Sequence, residues 1–367
     1  MTSLADLPLR ADLVGRSAYG APRHEVPVTL NVNENTHPVP DEVRRDVLER
    51  IAVALDEVNR YPDREFLLLR EALAGYLGHG LAAEQLWAAN GSNEVLQHLF
   101  QAFGGPGRTM LTFPPTYSMY PNIAVTTGTA VVEGRRDERF RLSPASVSED
   151  IARVRPDITV VCAPNNPTGT PVGLDVVRAA YDATDGILVV DEAYGEFMPP
   201  DAPSALTLLP GRPRLAVSRT MSKAFAFAGA RLGYLAADSA LTEALRLVRL
   251  PYHLSSITQA AALGALAHAP VMLRTVADIR VQRDRTAAGL EALGYRVAPS
   301  WTNFLLFSGL DDPAALWRGL LERGVLIRDL GIQGALRVSA GTAEETDRFL
   351  DAMAALTPEL APAGAGR

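Results

Sequence analysis

The sequence predicts an α/β fold in which a mainly parallel sheet forms a large domain and a smaller α+β domain accompanies it. Three observations support this prediction. Short apolar runs, rich in Val, Ile and Leu and without alternation, are typical of strands that are covered on both faces. Helical patterns separate several of these runs, which favours parallel strands joined by helices. After about Ser239 the pattern changes to longer helices, and a length of 367 residues suits about two domains.

The first part of the chain alternates helical and strand patterns. Apolar residues recur at helical spacing over residues 40–59, and a second helix follows Arg64. Strands are predicted at 86–89, 109–113, 130–133, 158–162, 187–191, 215–218 and 232–236, with helices at 93–103 and 174–183. We therefore assign residues 31–249 to the large domain.

The second part of the chain predicts longer helices and a few short strands. The helices are expected at 241–250, 256–293, 313–323 and 344–356, and the strands at 304–307, 325–327 and 336–339. Residues 250–357, together with the N-terminal arm of residues 1–30, are predicted to form the smaller domain. Residues 358–367 have low complexity, which indicates a flexible tail.

Composition and charge narrow the class of protein. The hydrophobic fraction of 47% and the charged fraction of 21% are typical of a globular protein and exclude a disordered chain. Acidic residues exceed basic ones by 42 to 35, a net charge of −7, which argues against a general nucleic-acid-binding protein. The charge-dense stretch 133–141 mixes both signs, and we interpret it as a solvated hairpin or loop.

Cysteine use and hydropathy indicate a cytoplasmic protein. The single cysteine, Cys162, excludes a disulfide within the chain and fits a reducing compartment. Its apolar surroundings predict a buried, unreactive thiol, and one Cys with scattered His residues provides no zinc site. The first thirty residues lack the apolar core of a secretory signal. The longest uncharged span, 250–273, contains prolines and polar residues, which argues against a membrane helix.

Polar residues that follow predicted strands are the candidates for a site, because ligands bind at the carboxyl ends of strands in open α/β sheets. Asp191 directly follows an apolar run, although alone it would more often be a helix cap or a surface acid. The stretch 163–169 has the composition of a turn and contains Asn165 and Asn166.

Lys223 lies among apolar and small residues after another strand. Most lysines lie on the surface, but a desolvated lysine has a lowered pKa and becomes a nucleophilic amine that can form a Schiff base. Thr220, Ser222 and Arg231 flank it and are good phosphate ligands. The stretch 91–94 opens a helix whose free N–H groups could also bind phosphate, although an ordinary serine cap would explain it alone. In combination these features describe one cofactor, pyridoxal phosphate.

The chain resembles the fold-type I, class II pyridoxal-phosphate-dependent aminotransferases, and within them the histidinol-phosphate aminotransferases. The segments that carry the resemblance are 17–22, 33–35, 60–63, 89–94, 115–120, 164–169, 190–194, 220–223 with Arg231, and 336–339. They extend over nearly the whole chain. The resemblance implies the fold-type I architecture and the transfer of an amino group from histidinol phosphate to 2-oxoglutarate in histidine biosynthesis.

The resemblance also implies roles for individual residues. Lys223 would bind the cofactor covalently and move the proton at the substrate Cα, and Asp191 would pair with the pyridine nitrogen. Tyr194 and Asn166 would donate hydrogen bonds to the phenolic oxygen, and Tyr117 would stack on the ring. The phosphate would be held by Gly91, Ser92, Asn93, Thr220, Ser222 and Arg231.

Two further groups of residues follow from the resemblance. Tyr61 would reach the phosphate bound in the partner subunit, which makes a homodimer necessary for activity. Arg337 would bind the anionic end of the substrate, with Tyr19, Arg328 and Asn35 assisting. No metal, nucleic acid or membrane is implied.

The sequence departs from the family at Thr36, where a proline is usual, and at Trp301, where small residues are usual. Both segments are expected to line the substrate side. An aromatic amino-acid aminotransferase, in which Arg337 binds a carboxylate, therefore remains an alternative. A lyase or decarboxylase with the same cofactor is a second one. A non-catalytic ligand-sensing domain is a third, and the intact Lys223 and Asp191 argue against it.

Overall fold

The structure is a computed structural model that describes residues 4–18 and 20–360. Its helices are α1 Asp41–Asp56, α2 Leu67–Leu77, α3 Ser92–Phe103, α4 Met119–Thr127, α5 Pro144–Val154, α6 Leu174–Ala183, α7 Ser239–Arg246, α8 Ser256–Ala267, α9 Ala269–Met272, α10 Arg274–Ala292, α11 Pro313–Glu322 and α12 Ala343–Leu360. Its strands are β1 Val28–Thr29, β2 Leu86–Ala89, β3 Thr109–Thr112, β4 Ala130–Glu133, β5 Ile158–Cys162, β6 Ile187–Asp191, β7 Leu215–Thr220, β8 Gly233–Ala237, β9 Arg296–Val297, β10 Phe304–Ser308, β11 Val325–Leu326 and β12 Ala335–Ser339.

The largest sheet has seven strands in the order β2-β8-β7-β6-β5-β3-β4. All neighbouring pairs are parallel except the two that involve β8. Every residue of β5 and β7 is buried, and the same holds for β6 after its first residue. The apolar runs without alternation thus arise from strands covered on both faces. The predicted α/β class with a mainly parallel sheet is confirmed.

The strand directions bring the ends of several strands to one edge of this sheet. Strand β2 is antiparallel to β8, and β8 is antiparallel to β7, so β2 runs in the same direction as β7. The carboxyl ends of β2, β3, β5, β6 and β7 and the amino end of β8 therefore meet at a common edge. This is the edge at which open α/β sheets bind ligands.

The remaining strands form two small sheets. Strand β10 lies between β12 and β9 in antiparallel register, and β1 pairs with β11 in parallel. Their apolar side chains form a second core cluster with α11 and α12, separate from the cluster around the seven-stranded sheet. Residues 254–279, assigned from the sequence to the smaller domain, bury their apolar side chains in the first cluster. The domain boundaries stay predictions.

The helix predicted over residues 256–293 is wrong as a single element. It is divided into α8, α9 and α10, with Pro270 in the first turn of α9. Proline lacks an N–H donor and clashes with the preceding turn, so it is tolerated at a helix start but not in a helix interior. Helix α4, and α5 with its Ser143 cap and Pro144, were not predicted. Helix α12 continues through residues 358–360 of the predicted tail, and residues 361–367 lie outside the described residues.

Among residues 4–18 and 20–360, no single helix is long and apolar enough to cross a bilayer. The segments Ser256–Ala267 and Ala269–Ala292 reach that length and hydropathy only as a pair, and they are bent by 78° relative to each other.

Candidate active site

A cavity of about 390 Å³ lies at the edge of the large sheet where the strand ends meet. Most of the predicted site residues line it: Ser92, Asn93, Tyr117, Asn166, Asp191, Tyr194, Thr220, Ser222, Lys223, Arg231, Arg328 and Arg337. These residues are spread over positions 92 to 337 of the sequence, and the sheet topology brings them together.

Lys223 lies three residues after the end of β7 and extends into the cavity, where its Nζ donates a hydrogen bond to the Val32 carbonyl oxygen at 3.2 Å. Desolvation, together with the positive charges of Arg337 and Arg231 and against the opposing effect of Glu34, lowers the pKa of Lys223 to about 8. A lysine with this pKa has a large neutral fraction near physiological pH, so it can act as a nucleophile and as a base. Lys223 is also the only lysine in the sequence, a signal that the sequence reasoning overlooked.

Asp191 is the last residue of β6, and its carboxylate is buried at the floor of the cavity. It accepts hydrogen bonds from Tyr120 Oη at 2.7 Å, Ser218 Oγ at 2.9 Å and the Ala193 N–H at 3.2 Å. Burial raises the pKa of Asp191, and these donors oppose that rise. A cationic N–H partner in the cavity would stabilise the carboxylate further, which fits a pyridinium nitrogen. Neither Tyr120 nor Ser218 was predicted as a site residue.

Tyr194, Asn166 and Arg337 form a connected network on another wall of the cavity. Arg337 Nη1 donates to Asn166 Oδ1 at 2.8 Å, and Asn166 Nδ2 donates to Tyr194 Oη at 3.4 Å. Arg337 lies on β12, and its backbone pairs with that of Arg328, so the two guanidinium-bearing residues are neighbours. Burial raises the pKa of Tyr194, so its hydroxyl keeps its proton at physiological pH.

The first turn of α3 and the loop before β8 form an anion-binding cradle. Gly91 has φ of 84° and ψ of 162°, and a Cβ at this position would lie 2.4 Å from Arg231 Nη2. Only glycine allows the guanidinium to approach this closely with that backbone conformation. Ser92 and Asn93 offer the free N–H groups of a helix N-terminus, and Ser222 adds a hydroxyl. The predicted ligand Thr220 also lines the cavity, but its hydroxyl donates to the Leu232 carbonyl oxygen at 3.2 Å. The donor set suits a small dianion such as a phosphate ester.

Tyr117 is placed beside this cradle. Its hydroxyl donates to Asn93 Oδ1 at 3.3 Å, and its ring meets that of Tyr120 edge to face, with 5.5 Å between the ring centroids. The ring of Tyr117 is therefore held in the lining of the cavity, as stacking on a cofactor would require.

Some predicted residues do not reach this cavity. Asn35 donates to the Ala224 carbonyl oxygen and to Thr275 Oγ1, both at 3.2 Å, and Asn33 lines the cavity in its place. Tyr61 is 80% exposed and stacks on Tyr252 with 4.4 Å between the ring centroids. Its predicted contact with the partner subunit stays a prediction.

Three further residues named from the sequence are not among the described residues that line this cavity. Tyr19 lies outside the described residues. Trp301 lines a separate, small cavity behind the turn at Ala163 and Pro164, and Thr36 is not among the residues that line the main cavity. That the two segments line the substrate side stays a prediction.

The charged stretch 133–141 is not wholly solvated, because Arg136 is drawn inward. Its guanidinium donates to the carbonyl oxygens of Phe113 and Phe140 and, at 2.9 Å, to Asn165 Oδ1. Burial lowers the pKa of Arg136 to about 10. Asn165 is thus a structural residue that ties three loops together, whereas Asn166 faces the cavity.

Cys162 is a buried free thiol beside Asp191 at the cavity floor, and burial raises its pKa to about 12. A buried thiol with a raised pKa is unreactive, as the sequence predicts. Within the described ranges 4–18 and 20–360, no group of three or more His, Cys, Asp and Glu side chains is arranged to hold a metal ion.

Comparison with known proteins gives consistent relatives. The model of the family "Aminotransferase class I and II" matches residues 25–353. The histidinol-phosphate aminotransferase of Paenarthrobacter aurescens (strain TC1) is 57% identical over 359 residues, covering 97% of this chain and 96% of that protein. The enzyme of the same name from Frankia casuarinae is 55% identical, covering 95% and 89%. The crystal structure of histidinol-phosphate aminotransferase from Sinorhizobium meliloti in complex with pyridoxal-5'-phosphate superposes with a TM-score of 0.82 at 25% identity, covering 92% of each chain.

Proposed function

The chain belongs to the class I and II aminotransferases, and from that premise we propose that it transfers the amino group of histidinol phosphate to 2-oxoglutarate in histidine biosynthesis. Its cofactor is pyridoxal phosphate. The observation that carries the proposal is the single cavity that contains a lysine with a lowered pKa, a buried carboxylate, an anion-binding cradle and two neighbouring arginines.

The residues present fit this cofactor. When bound, pyridoxal phosphate supplies an electron sink for the electrons of the substrate Cα–H bond. The cradle of Gly91, Ser92, Asn93 and Arg231 would hold its phosphate, and Asp191 would keep a proton on its ring nitrogen. Asp191 is suited to this because its carboxylate is buried and both of its oxygens are already held by hydroxyl donors.

Lys223 would move the reacting proton. A general base and acid works best with a pKa near the operating pH, and the lowered pKa of Lys223 meets that condition. Its hydrogen bond to Val32 O holds the amine at the cavity wall. In this role Lys223 would take the proton from the substrate Cα and pass it to the C4′ carbon of the cofactor.

Arg337 and Arg328 would bind the anionic end of the substrate. Arg337 is mostly buried, and Arg328 Nη1 is buried without a hydrogen-bond partner among the described residues. A phosphate ester can accept hydrogen bonds from both guanidinium groups, and charge-assisted bonds of this kind are strong. Leu330 and Ile332 lie in the same part of the cavity lining and would cover the apolar part of the substrate.

The ratio of kcat/KM for histidinol phosphate to that for phenylalanine tests this proposal, with 2-oxoglutarate as acceptor. We expect a ratio well above one that Arg328→Leu lowers by about tenfold or more, because one charge-assisted hydrogen bond contributes about 1.5–3 kcal/mol. A preference for phenylalanine would support the aromatic alternative. Product release without any acceptor would support a lyase.

The active species in this proposal is a homodimer. Tyr61 and Leu68 are 80% and 67% exposed, Leu247 and Leu250 are 84% and 76% exposed, and the Tyr61–Tyr252 stack joins these two segments. Apolar side chains exposed together favour an interaction surface. A second copy would cover them and bring its own Tyr61 to the cradle of the first. Sedimentation of the cofactor-loaded protein tests the dimer, and a monomer with full activity would contradict it.

A cytoplasmic location is part of the same proposal. Its support is the free, buried Cys162, which fits a reducing compartment, and the biosynthetic role of the proposed reaction. Fractionation of cells that produce the protein tests it.

A further inference from the structure

The segment of residues 31–33 connects β1 to the cavity and contacts three of its functional groups. The Asn31 carbonyl oxygen accepts from Arg337 Nη2 at 2.9 Å, and the Val32 carbonyl oxygen accepts from Lys223 Nζ at 3.2 Å. Asn33 differs because it makes its contact through its side chain: its Nδ2 donates to Tyr194 Oη at 2.9 Å. The side chain of Asn33 thus occupies one acceptor position of the Tyr194 hydroxyl and limits the directions in which that hydroxyl can point its proton.

The orientation of the Asn33 amide follows from its other partner. Ser339 Oγ accepts from the Asn33 backbone N–H at 2.9 Å and donates its own hydrogen to Asn33 Oδ1 at 3.1 Å. The oxygen of the amide therefore faces Ser339, and its NH₂ group faces Tyr194. Asn33 is buried and has a φ of 57°, a left-handed conformation that asparagine tolerates better than most residues.

The orientation of the Asn166 amide is fixed by Arg337. Arg337 has only donors, so the atom of Asn166 that contacts its Nη1 must be the oxygen. The NH₂ group of Asn166 then faces Tyr194 Oη at 3.4 Å. The tyrosine oxygen thus accepts from two amides, and both of its lone pairs are engaged. Its own proton is left to donate in another direction, and Tyr194 lines the cavity.

We propose that Asn33 is a positioning residue that turns the Tyr194 hydroxyl proton into the cavity, toward the phenolic oxygen of pyridoxal phosphate. This inference rests on the proposed function, since it requires that cofactor. The Ser339–Asn33 contact also couples the direction of this proton to β12, the strand that carries Arg337.

The variant Asn33→Asp tests the proposal because it keeps the size of the side chain but removes the donor. The new carboxylate would accept the Tyr194 hydroxyl proton and draw it away from the cofactor. A hydrogen bond to an anionic oxygen stabilises the deprotonated form, so its loss raises the midpoint pH of the spectral titration of the bound cofactor. We expect a rise of about one pH unit and a weaker cofactor affinity.

The added negative charge would also raise this midpoint, and a double-mutant cycle with Tyr194→Phe separates the two effects. In the Tyr194→Phe background there is no hydroxyl to divert, so Asn33→Asp should shift the midpoint by its charge alone. We expect that shift to be less than half of the shift in the wild-type background. Equal shifts in both backgrounds would overturn the proposal.

Asn31→Asp is the matched control. It places the same charge two residues away in the same segment, but the Asn31 side chain donates to the Pro22 carbonyl oxygen and not to Tyr194. Its shift should be the same in both backgrounds. Asn33→Ala keeps the experiment informative if Asn33→Asp does not fold: it removes the donor without adding a charge, so it should raise the midpoint in the wild-type background and leave it unchanged in the Tyr194→Phe background.

Equal shifts by Asn33→Ala in the two backgrounds would indicate a merely structural role and overturn the proposal. These titrations require only bound cofactor. If the wild-type protein fails to transaminate histidinol phosphate, the proposed substrate is wrong while the cycle still reports on Asn33.

Discussion

The close approach of Arg231 to Gly91 can be tested by adding a single methyl group. In Gly91→Ala the new Cβ would lie 2.4 Å from Arg231 Nη2, well inside van der Waals contact, so the guanidinium must move. The backbone at this position, with φ of 84° and ψ of 162°, is also one that only glycine adopts without strain. The variant therefore affects both the cradle and the backbone that forms it.

The two effects have different magnitudes and different readouts. The strained backbone should lower the free energy of unfolding of the cofactor-free protein by about 1–3 kcal/mol. Loss of one charge-assisted hydrogen bond from Arg231 to the phosphate costs about 1.5–3 kcal/mol. At about 1.4 kcal/mol per factor of ten, the Kd of pyridoxal phosphate should rise by roughly 10- to 150-fold. Absorbance titration measures this Kd, and urea unfolding measures the stability.

Gly211→Ala is the control for strain alone. Gly211 has a φ of 73°, and no atom lies within 4 Å of the position of its Cβ, so the substitution strains the backbone and displaces nothing. It should destabilise the protein by about 1–2 kcal/mol and leave the Kd of the cofactor unchanged. The reasoning is refuted if Gly91→Ala loses stability like Gly211→Ala but binds the cofactor as tightly as the wild type.

Three further predictions follow from the electrostatics of the buried groups. Lys223 of the cofactor-free protein should react with a neutral acylating reagent with an apparent pKa near 8, since desolvation favours the neutral amine; a midpoint above 10, read by mass spectrometry, would contradict this. Asp191→Asn should lower kcat by about ten- to a thousandfold, because it removes the charge that holds the ring proton, and unchanged steady-state kinetics would refute that role. Arg219→Met should lower the free energy of unfolding by about 3–5 kcal/mol, since it leaves the buried carboxylates of Glu192 and Glu196 without their cation, and a loss below 1 kcal/mol in urea unfolding would disagree.

The fold was largely predictable because the strands are buried on both faces and keep a simple pattern. The bounds of β2, β5 and β6 agree with the sequence reasoning, since each is an apolar run ended by a turn or a polar residue. The break at Pro270 was missed because the apolar spacing continues across it. A helix boundary set by a missing N–H group does not change the hydrophobic period.

The candidate site was predictable where its residues lie at or just after the carboxyl ends of strands, as Asp191 and Lys223 do. Asn33 and Ser218 were missed for a different reason. Their roles depend on contacts between segments far apart in sequence, Asn33 with Tyr194 and Ser218 with Asp191 on the neighbouring strand. The spacing of residues along the chain does not indicate which distant residues come into contact. Arg136 was predicted to be solvated because charged side chains in loops are usually exposed. In the structure its guanidinium donates hydrogen bonds to three buried or partly buried acceptors.

The central claim is that Lys223 binds the cofactor and yields it to histidinol phosphate. Because Lys223 is the only lysine, borohydride reduction of the cofactor-loaded protein has one side-chain amine to fix the cofactor on. Peptide mass spectrometry should find the cofactor mass on the peptide that contains Lys223. Histidinol phosphate added before reduction should remove that mass, while an equal concentration of phenylalanine should leave most of it in place. Cofactor mass absent from Lys223, or mass that histidinol phosphate does not displace, would contradict the account.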